Sequence, residues 1–438
     1  MKVVLGVSGG IAAYKACELL RLFTESGHEV RVVPTREALK FVGEPTWAAL
    51  SGHPVSAEVW DDVHEVPHVR IGKGADLVVV APATADVLAR AAHGLAGDLL
   101  TNTLLTARCP VVFAPAMHTE MWQHPATRAN VATLRSRGSV VIDPAVGRLT
   151  GADTGPGRLP DPAEIFQVCL RVLRGRQRDL AGRRVVVSAG GTREAIDPVR
   201  FIGNRSSGLQ GYALARTAVA RGAEVTVVAA NVALPDPAGA RVVRVESTAE
   251  LRAEVLAASE GADAVVMAAA VADFRPAKRH DEKIKKTDGE PDPIYLTKNP
   301  DILAELGERR RQGGAAAGTA VPSGREGGPA PQAEADSKAG SQSEAGSGAG
   351  VPADRVGPRV IVGFAAETHD VLANGQAKLE RKGCDLLVVN QVGEGLAFGA
   401  PDNAATVLVA GGEPVEVPFG PKEDLADAVW DLVAARLS

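Results

Sequence analysis

The sequence predicts an α/β protein of two domains, each built around a parallel β-sheet. Short valine-rich runs alternate with helical patterns along the chain, which is typical of βαβ units. At 438 residues the chain is longer than one hydrophobic core usually serves. Two glycine turns, Ser8-Gly9-Gly10 and Ser188-Ala189-Gly190-Gly191-Thr192, are each followed by a later strand that runs through small residues into Ala-Asp. Ligands bind beyond the carboxyl ends of parallel strands, so the repeat predicts one mononucleotide-type site per domain.

The first domain is predicted over residues 1–175. Its strands are short, valine-rich and mainly apolar runs, as expected for strands buried on both faces, at residues 3–7, 30–34, 77–81, 111–114 and 140–142. Residues 12–26 predict a helix because Leu19, Leu20 and Phe23 recur on one face. Residues 147–162 are rich in glycine and proline and predict a loop, and a helix over 163–175 closes the domain.

The second domain is predicted over residues 183–438, after a polar linker at 176–182. Its strands are predicted at residues 184–188, 225–229, 242–245, 264–268, 360–363, 386–389 and 405–409, and its helices at 211–221, 249–259 and 424–437. Residues 312–357 consist mostly of Gly, Ala, Ser, Pro, Glu and Gln. Such a segment buries too little apolar surface to offset its ordering entropy, so we expect a disordered insertion inside this domain.

Composition narrows the class of protein. The 45% hydrophobic content supports real cores, whereas 4% aromatic residues and a net charge of −5 argue against nucleic-acid or anionic-membrane partners. Every apolar run is too short to predict a membrane-spanning helix. The four cysteines, Cys17, Cys109, Cys169 and Cys384, are scattered and form no CxxC pair. We therefore expect a cytoplasmic protein that acts on small molecules.

Two familiar motif spacings are misleading here. His64-Glu65-Val66-Pro67-His68 matches the H-E-x-x-H pattern, which binds zinc only on a continuous helix, and Pro67 is incompatible with a helix interior. The glycines Gly203 and Gly208 have P-loop spacing, but Leu209-Gln210 stand where Lys-Ser/Thr is required. A zinc protease and a Walker-type ATPase are both disfavoured.

Other residues point to nucleotide chemistry. The Ser8-Gly9-Gly10 turn offers donors to a phosphate, although a purely structural turn fits equally well. Asp273 ends an apolar strand. A carboxylate is costly to bury without a partner, so a role as a Mg²⁺ ligand explains this position better. The basic run that begins at Lys283 follows closely and could neutralise a triphosphate. Lys378 and Lys382 are spaced to share one face of a helix.

With these residues assembled, the chain resembles the bifunctional coenzyme A biosynthesis family, in which phosphopantothenoylcysteine decarboxylase is fused to phosphopantothenate–cysteine ligase. The resemblance covers nearly everything outside residues 312–357. The motifs that carry it are Ser8-Gly9-Gly10-Ile11-Ala12-Ala13-Tyr14-Lys15, Pro115-Ala116-Met117, Gly155-Pro156-Gly157-Arg158, Ala189-Gly190-Gly191-Thr192-Arg193-Glu194, Asp197-Pro198-Val199-Arg200-Phe201-Ile202, Asn204-Arg205-Ser206-Ser207-Gly208, Lys283-Ile284-Lys285-Lys286 and Gly363-Phe364-Ala365-Ala366-Glu367-Thr368.

For the first half, the resemblance implies a flavodoxin-like, three-layer domain of the flavin-containing cysteine decarboxylase type. FMN would be its cofactor, in a decarboxylation to 4′-phosphopantetheine without net redox change. His68 aligns with the catalytic histidine of the family, and the residues implied to hold FMN are Ser8, Gly9, Gly10, Thr35 and Thr84.

This half departs from the family pattern at two positions. His118 replaces the asparagine of the usual Pro-x-Met-Asn motif, and its imidazole can still donate a hydrogen bond to a substrate carboxylate. Gly151 stands where the family has a proton-donating cysteine. His118, water and Asp153 remain alternative proton donors.

For the second half, the resemblance implies a Rossmann-like ligase domain. CTP would activate 4′-phosphopantothenate as an acyl-cytidylate, which the amine of cysteine then attacks. Asn204 aligns with the residue that steadies the acyl-cytidylate, Asp273 with a Mg²⁺ and nucleotide contact, and Lys283 with a catalytic lysine. The further nucleotide contacts implied are Ala269, Phe364, Lys378 and Lys382. Leu209 replaces a common lysine, which removes one positive charge near the Gly208 turn.

The resemblance also implies a homo-oligomer, namely a dodecamer built from trimers of the first half and dimers of the second. Two other functions are alternatives to this enzyme. One is a flavin-binding regulatory or scaffold protein that has lost catalysis, which the changes at Gly151 and His118 make worth testing. The other is a flavin enzyme acting on C-terminal peptidyl cysteine, which the fused ligase half disfavours.

Overall fold

The computed structural model describes residues 1–57, 66–149, 154–175, 178–285, 293–317, 357–367, 371–391 and 402–438. The described part contains two central β-sheets, one in each half of the chain. Helices cover both faces of each sheet, so both halves have a three-layer α/β architecture, which was predicted for the first half.

The first sheet has five parallel strands in the order β2-β1-β3-β4-β5. The strands are β1 (Lys2–Val7), β2 (Glu29–Pro34), β3 (Leu77–Ala83), β4 (Val111–Pro115) and β5 (Val140–Val141). This order is that of the flavodoxin-like doubly wound fold. All five predicted strands are confirmed.

The helices of this half are more numerous than the sequence suggested. They are α1 (Lys15–Glu25), α2 (Glu44–Ser51), α3 (Pro67–Gly74), α4 (Ala85–His93), α5 (Leu99–Thr106), α6 (Thr119–Gln123), α7 (Pro125–Ser136) and α8 (Pro162–Leu173). The predicted helix over 12–26 is a 3₁₀ turn, Ile11–Tyr14, followed by α1. Leu19, Leu20 and Phe23 are buried on its core face, as predicted.

The loop predicted over residues 147–162 is wrong in part. The structure has an antiparallel hairpin of β6 (Ala145–Arg148) and β7 (Thr154–Arg158) there, and α8 already begins at Pro162. The glycines in this hairpin allow close approach to another segment rather than breaking the strands. A side chain added at Gly157 would collide with the carbonyl group of Met117.

The second sheet has eight strands in the order β12-β11-β8-β13-β16-β17-β18-β19. The strands are β8 (Arg184–Gly190), β11 (Glu224–Ala230), β12 (Ala240–Val245), β13 (Ala264–Met267), β16 (Val360–Glu367), β17 (Leu386–Gln391), β18 (Asp402–Val409) and β19 (Val415–Pro421). The first six strands in this order pair in parallel. Strand β18 pairs antiparallel with β17 and with β19. The seven predicted strands are confirmed, and β19 was missed.

Two short antiparallel ribbons stand outside this sheet. They pair β9 (Arg193–Ala195) with β10 (Phe201–Gly203), and β14 (Phe274–Pro276) with β15 (Leu296–Lys298). The helices of the half are α9 (Leu209–Ala220), α10 (Thr248–Ser259), α11 (Ile302–Ala317), α12 (Val371–Lys382) and α13 (Lys422–Leu437).

Helix α11 corrects the start of the predicted disordered insertion. Residues 312–317 continue this helix, because the alanines at 315–317 favour helical structure despite the flanking glycines. The remainder of the prediction, at residues 318–356, lies outside the described residues.

Buried charges connect the two halves. Arg171 of α8 and Arg221, which follows α9, both pair with Asp427 of α13. The Arg221 side chain is only 2% exposed, and it also bonds Asp179 and Asp431. At the rim, Arg174 pairs with Asp424 at 2.9 Å and Arg216 pairs with Glu423 at 2.6 Å. Ion pairs therefore hold α8 against α13, and α13 against α9. Leu180 is already part of the second core, while the predicted boundary at 176–182 stays a prediction.

Glu164 on this seam gives a pH prediction. Burial raises its pKa to about 6, although Arg216 partly opposes the shift. The folded protein then holds a proton between pH 4.5 and about 6 that the unfolded chain has released, so this residue lowers stability as pH rises through that window. We expect Glu164→Gln to match the wild type below this window and to be more stable above it, by about 2 kcal/mol.

The measurement is the thermal unfolding midpoint of the full chain from pH 4 to pH 8, with the exposed Glu29→Gln as control. A constant difference between Glu164→Gln and the wild type across that range would contradict the prediction.

No helix in the described ranges is both long and apolar enough to cross a bilayer.

Candidate active sites

Both main sheets have a topological switch point. From β1 the chain goes to β2 on one side and later to β3 on the other; from β8 it goes to β11 on one side and later to β13 on the other. In doubly wound sheets, ligands bind outside the carboxyl ends of the strands at such a point. The candidate sites therefore lie beyond β1/β3 and beyond β8/β13, where the two sequence repeats were found.

Ser8 joins the two strand ends at the first switch point. It is 1% exposed, its hydroxyl donates to the carbonyl of Pro82 at 2.7 Å, and the amide of Thr84 donates to the same hydroxyl at 3.0 Å. The hydroxyl proton of Ser8 is therefore already donated to a protein carbonyl. Ser8 shapes the turn, and donors to a ligand must come from its neighbours.

The neighbours of Ser8 form an open cradle. A side chain at Gly9 would collide with Glu37. A Cβ atom added at Gly10, in contrast, would have no protein atom within 4 Å. Thr84 caps the N-terminus of α4, with its hydroxyl accepting from the amide of Val87 at 3.4 Å. Thr35 is buried at the end of β2, and its hydroxyl accepts from the amide of Ala38. The cradle consists of a glycine turn and a helix N-terminus, both suited to an anion.

His68 lies in the first turn of α3. Its carbonyl accepts a hydrogen bond of 2.7 Å from the hydroxyl of Thr106, and its ring Nδ1 is buried with no partner among the described atoms. Val66 adopts a left-handed conformation with φ 46°, and Pro67 begins the helix. A helix therefore does not run continuously through Val66 into His68, as predicted from Pro67, and His64 and Glu65 lie outside the described residues.

His118 lies at the N-terminal end of α6 with its side chain exposed. The β6–β7 hairpin packs beside it, since the amide of Met117 donates to the carbonyl of Gly157 at 2.9 Å. The hairpin therefore lies against the segment that carries His118. Gly151, Ala152 and Asp153 lie outside the described residues.

The second switch point repeats the serine arrangement of the first. Ser188 on β8 accepts a hydrogen bond from the amide of Ala269, just beyond β13, at 3.1 Å. The hydroxyl of Thr192 accepts from the amide of Ala272 at 2.9 Å. In both halves, hydroxyls on the first strand and its turn therefore hold the segment that follows the partner strand.

Asn204 and Asp273 are brought together beside this turn. Asn204 directly follows β10, and its side-chain amide donates to the carbonyl of Val271 at 3.0 Å. Asp273 keeps its carboxylate exposed, while its backbone carbonyl accepts from the amide of Asn299. No group of three or more His, Cys, Asp or Glu residues suited to a metal occurs in the described ranges. One carboxylate suits Mg²⁺ if phosphate oxygens complete its ligands.

The predicted lysines differ in their surroundings. Lys283 follows β14 and is exposed. Lys378 and Lys382 do share helix α12, as their spacing predicted. Lys382, however, forms an ion pair with Asp301, so its charge is already matched within the protein. Phe364 lies on β16, partly buried against the core.

Sequence reasoning missed residues that brace the second site. The carboxylate of Glu194 accepts from the amide of Thr248 at 2.8 Å and fixes β9 to the start of α10. Asn231, left-handed with φ 53°, donates from its side chain to the carbonyls of Gly191 and Glu246, each at 2.9 Å. Glu194 was visible within a quoted motif, but an isolated Asn gives no signal in the sequence.

Family models match both halves of the chain. The family model described as Flavoprotein matches residues 1–174. The model described as DNA/pantothenate metabolism flavoprotein C-terminal domain matches residues 180–330 and 349–437. The gap between these last two ranges falls inside the predicted insertion.

Curated relatives match over the whole chain. The coenzyme A biosynthesis bifunctional protein CoaBC of Mycolicibacterium smegmatis is 53% identical, covering 100% of this chain and 98% of that one. The protein of the same name from Mycobacterium tuberculosis is 52% identical, with 100% and 97% covered, and that from Bacillus subtilis is 37% identical, with 99% and 96% covered.

Solved structures match each half separately. The C-terminal domain of a coenzyme A biosynthesis bifunctional protein is 29% identical and covers 60% of this chain and 98% of that chain, with a TM-score of 0.42. An FMN-binding protein is 30% identical and covers 40% of this chain and 97% of that chain, with a TM-score of 0.36.

The fold and the family models define a flavoprotein domain fused to a pantothenate-metabolism domain. With full-length identities above 50%, the chain belongs to the family of bifunctional coenzyme A biosynthesis proteins.

Proposed function

We propose that the chain catalyses two consecutive steps of coenzyme A biosynthesis. The second half joins cysteine to 4′-phosphopantothenate at the expense of CTP. The first half then decarboxylates the resulting phosphopantothenoylcysteine to 4′-phosphopantetheine with FMN. The observation that carries the proposal is the repeated switch point, where Ser8 and Ser188 each hold the segment beyond the neighbouring strand. Two such sites suit two mononucleotides in one chain.

The first cradle fits a flavin mononucleotide. The backbone of Gly9 and Gly10 would receive its phosphate at the open side of the turn, with Thr84 and Thr35 at the edges and Ser8 holding the turn in shape. The unpartnered Nδ1 of His68 is a buried polar atom, which is costly unless a ligand completes its hydrogen bonding. Bound flavin supplies reversible electron acceptance, so carbon dioxide can leave without net oxidation of the substrate.

The histidines of the first half have separate roles in this proposal. His68 is held by its helix and by Thr106, so its ring can act as a base or hydrogen-bond partner at the reacting thiol. His118 is exposed at the mouth of the site, where its imidazole can orient the substrate carboxylate. The hairpin beside Met117 would close over the substrate and exclude water.

In the second half, the carboxylate of 4′-phosphopantothenate attacks the α-phosphorus of CTP and pyrophosphate leaves. The amine of cysteine then attacks the acyl carbon of the acyl-cytidylate, and CMP leaves with the electrons of the cleaved C–O bond. Asn204 would steady the acyl-cytidylate and Lys283 would offset triphosphate charge. Asp273 would hold Mg²⁺ against the phosphates. Ala269, Phe364 and Lys378 are proposed to border the nucleotide.

A direct test uses the purified full chain. We expect visible flavin absorbance, and pyrophosphate release when CTP, Mg²⁺, 4′-phosphopantothenate and cysteine are all present. Lys283→Ala should slow this release by about 100-fold because an uncompensated phosphate charge raises the barrier. Lys278→Ala, which removes an exposed lysine of the same segment, is the matched control. Equal turnover with ATP, or equal loss in both variants, would contradict the cytidine or Lys283 assignment.

We also propose that the protein assembles from several copies, up to a dodecamer, in the cytoplasm. The β14–β15 ribbon exposes the apolar side chains of Phe274 at 45% and Leu296 at 49%, and Tyr295, just before β15, is 75% exposed. In the first half, Leu95 and Leu105 are more than half exposed. Apolar exposure in both halves supports association, and the four free cysteines suit a reducing compartment. Native mass spectrometry measures the number of copies.

A further inference from the structure

A buried carboxylate lies at the tip of the β9–β10 hairpin. Asp197 is 1% exposed and accepts three backbone hydrogen bonds. Its Oδ1 accepts from the amides of Val199 at 2.8 Å and Arg200 at 2.7 Å, within its own turn. Its Oδ2 accepts from the amide of Ile284 at 3.2 Å, which belongs to a segment remote in sequence.

The bond to Ile284 goes beyond what the turn requires. An aspartate that closes its own turn needs only one oxygen, and Oδ1 already supplies it. Two further bonds fasten the same segment to the same hairpin. The amide of His280 donates to the carbonyl of Ile196 at 2.9 Å, and the Arg200 guanidinium donates to the carbonyl of Ile284 at 3.3 Å.

Ile284 directly follows Lys283, whose side chain is exposed. The other end of the hairpin leads into Asn204, since Gly203 pairs with Arg193 at the base of the ribbon. The base is fixed to the body of the domain by the bond from Thr248 to Glu194. One braced hairpin therefore carries Asn204 at its base and the Lys283 segment at its tip.

The charge of Asp197 is stable at neutral pH. Burial alone would raise its pKa, but the amides of Val199, Arg200 and Ile284, together with the Arg200 guanidinium, lower it below the ordinary value. A buried carboxylate with these partners stays ionised, and hydrogen bonds to a charged acceptor are the stronger kind.

We propose that Asp197 is a positioning residue for the ligase reaction: through its bond to the amide of Ile284, it sets the place of Lys283 relative to Asn204 at the CTP site. This inference rests on the proposed function of the second half. Asp197 itself touches neither substrate nor nucleotide in this account. It fixes the backbone from which the phosphate-binding lysine projects, so a small displacement weakens the contact with the triphosphate.

Asp197→Asn tests the link with little change of shape. The asparagine carbonyl oxygen can still accept from Val199 and Arg200 and preserve the turn. Its NH₂ group then faces the N–H of Ile284, so two donors meet and the long-range bond is lost. We expect kcat/KM for CTP to fall about 10- to 100-fold. Hydrogen exchange of the Ile284 amide should accelerate, while CO₂ release from phosphopantothenoylcysteine should stay unchanged.

A double-mutant cycle with Lys283→Ala separates positioning from general structure. If Asp197 acts through Lys283, the double variant is no slower with CTP than Lys283→Ala alone. If the two losses multiply, or if Asp197→Asn retains wild-type kinetics while Lys283→Ala does not, the inference is wrong and the proposed function stands. If Lys283→Ala has no effect, the Lys283 assignment fails and this inference fails with it.

The matched control is Asp236→Asn. Asp236 lies in the same half, and within the described part of the chain its side chain bonds Tyr212 and Arg244 and no residue of the hairpin. It should leave CTP kinetics unchanged, and an effect equal to that of Asp197→Asn would count against the proposal.

Discussion

His68→Asn should remove most CO₂ release and leave pyrophosphate release at the wild-type rate. In the proposed first site the imidazole of His68 lies beside the flavin, and its Nδ1 is buried with no partner among the described atoms. An asparagine can neither accept nor return a proton in its place. Loss of a general base typically slows a reaction by about 10²- to 10⁴-fold. The measurement is ¹⁴CO₂ release from carboxyl-labelled phosphopantothenoylcysteine, alongside pyrophosphate release from CTP, in one preparation.

His93→Asn is the control, because His93 is an exposed histidine of the same half that bonds Asn130 on the surface. The wild-type measurement tests the flavin-binding scaffold alternative, because a scaffold would release no CO₂. Full activity in His68→Asn would remove this residue from the chemistry.

Asp427→Ala should destabilise the protein more than any exposed substitution. The change leaves the Arg171 and Arg221 charges next to each other at the seam without their shared carboxylate. Removing one partner of a buried ion pair typically costs about 3–5 kcal/mol. For a domain of this size, we expect the unfolding midpoint of the second half to fall by about 10 °C. Differential scanning calorimetry of the full chain resolves the transition.

Asp424→Ala is the matched control on the same helix, one turn earlier. Its pair with Arg174 is about half exposed, so its removal should change stability by less than about 1 kcal/mol. Equal effects of the two substitutions would show that burial of the Asp427 network contributes nothing. Retained activity in both halves of Asp427→Ala below its unfolding transition would show that the seam stabilises the chain without taking part in chemistry.

The sheets were predictable from sequence because a strand that is buried on both faces has a nearly continuous apolar sequence. Residues 77–81 and 264–268 are examples, and both lie at the centre of their sheets. The sites followed from them, since the turn at Ser8 and the one at Gly190 had to lie at carboxyl ends of strands. The family resemblance then gave His68 and Asn204 their expected roles.

The rest depended on contacts between distant segments. Glycines such as Gly157 predict a loop locally, yet here they let a hairpin approach Met117. The hydroxyl of Ser8 was expected to face a phosphate, but its proton is directed to Pro82, across the sheet. Lys382 was expected to be free for a ligand and pairs with Asp301. None of these partners is close in sequence, so no local pattern could have indicated them.

The central claim is that one chain holds two mononucleotide sites, each at a switch point of its own sheet. A crystal structure of the full chain with FMN and CTP bound tests it most directly. We predict the flavin beyond β1 and β3, beside Gly10 and His68, and the cytidine nucleotide beyond β8 and β13, between Asn204 and Lys283. Either nucleotide bound elsewhere, with its switch point filled by side chains, would contradict the account.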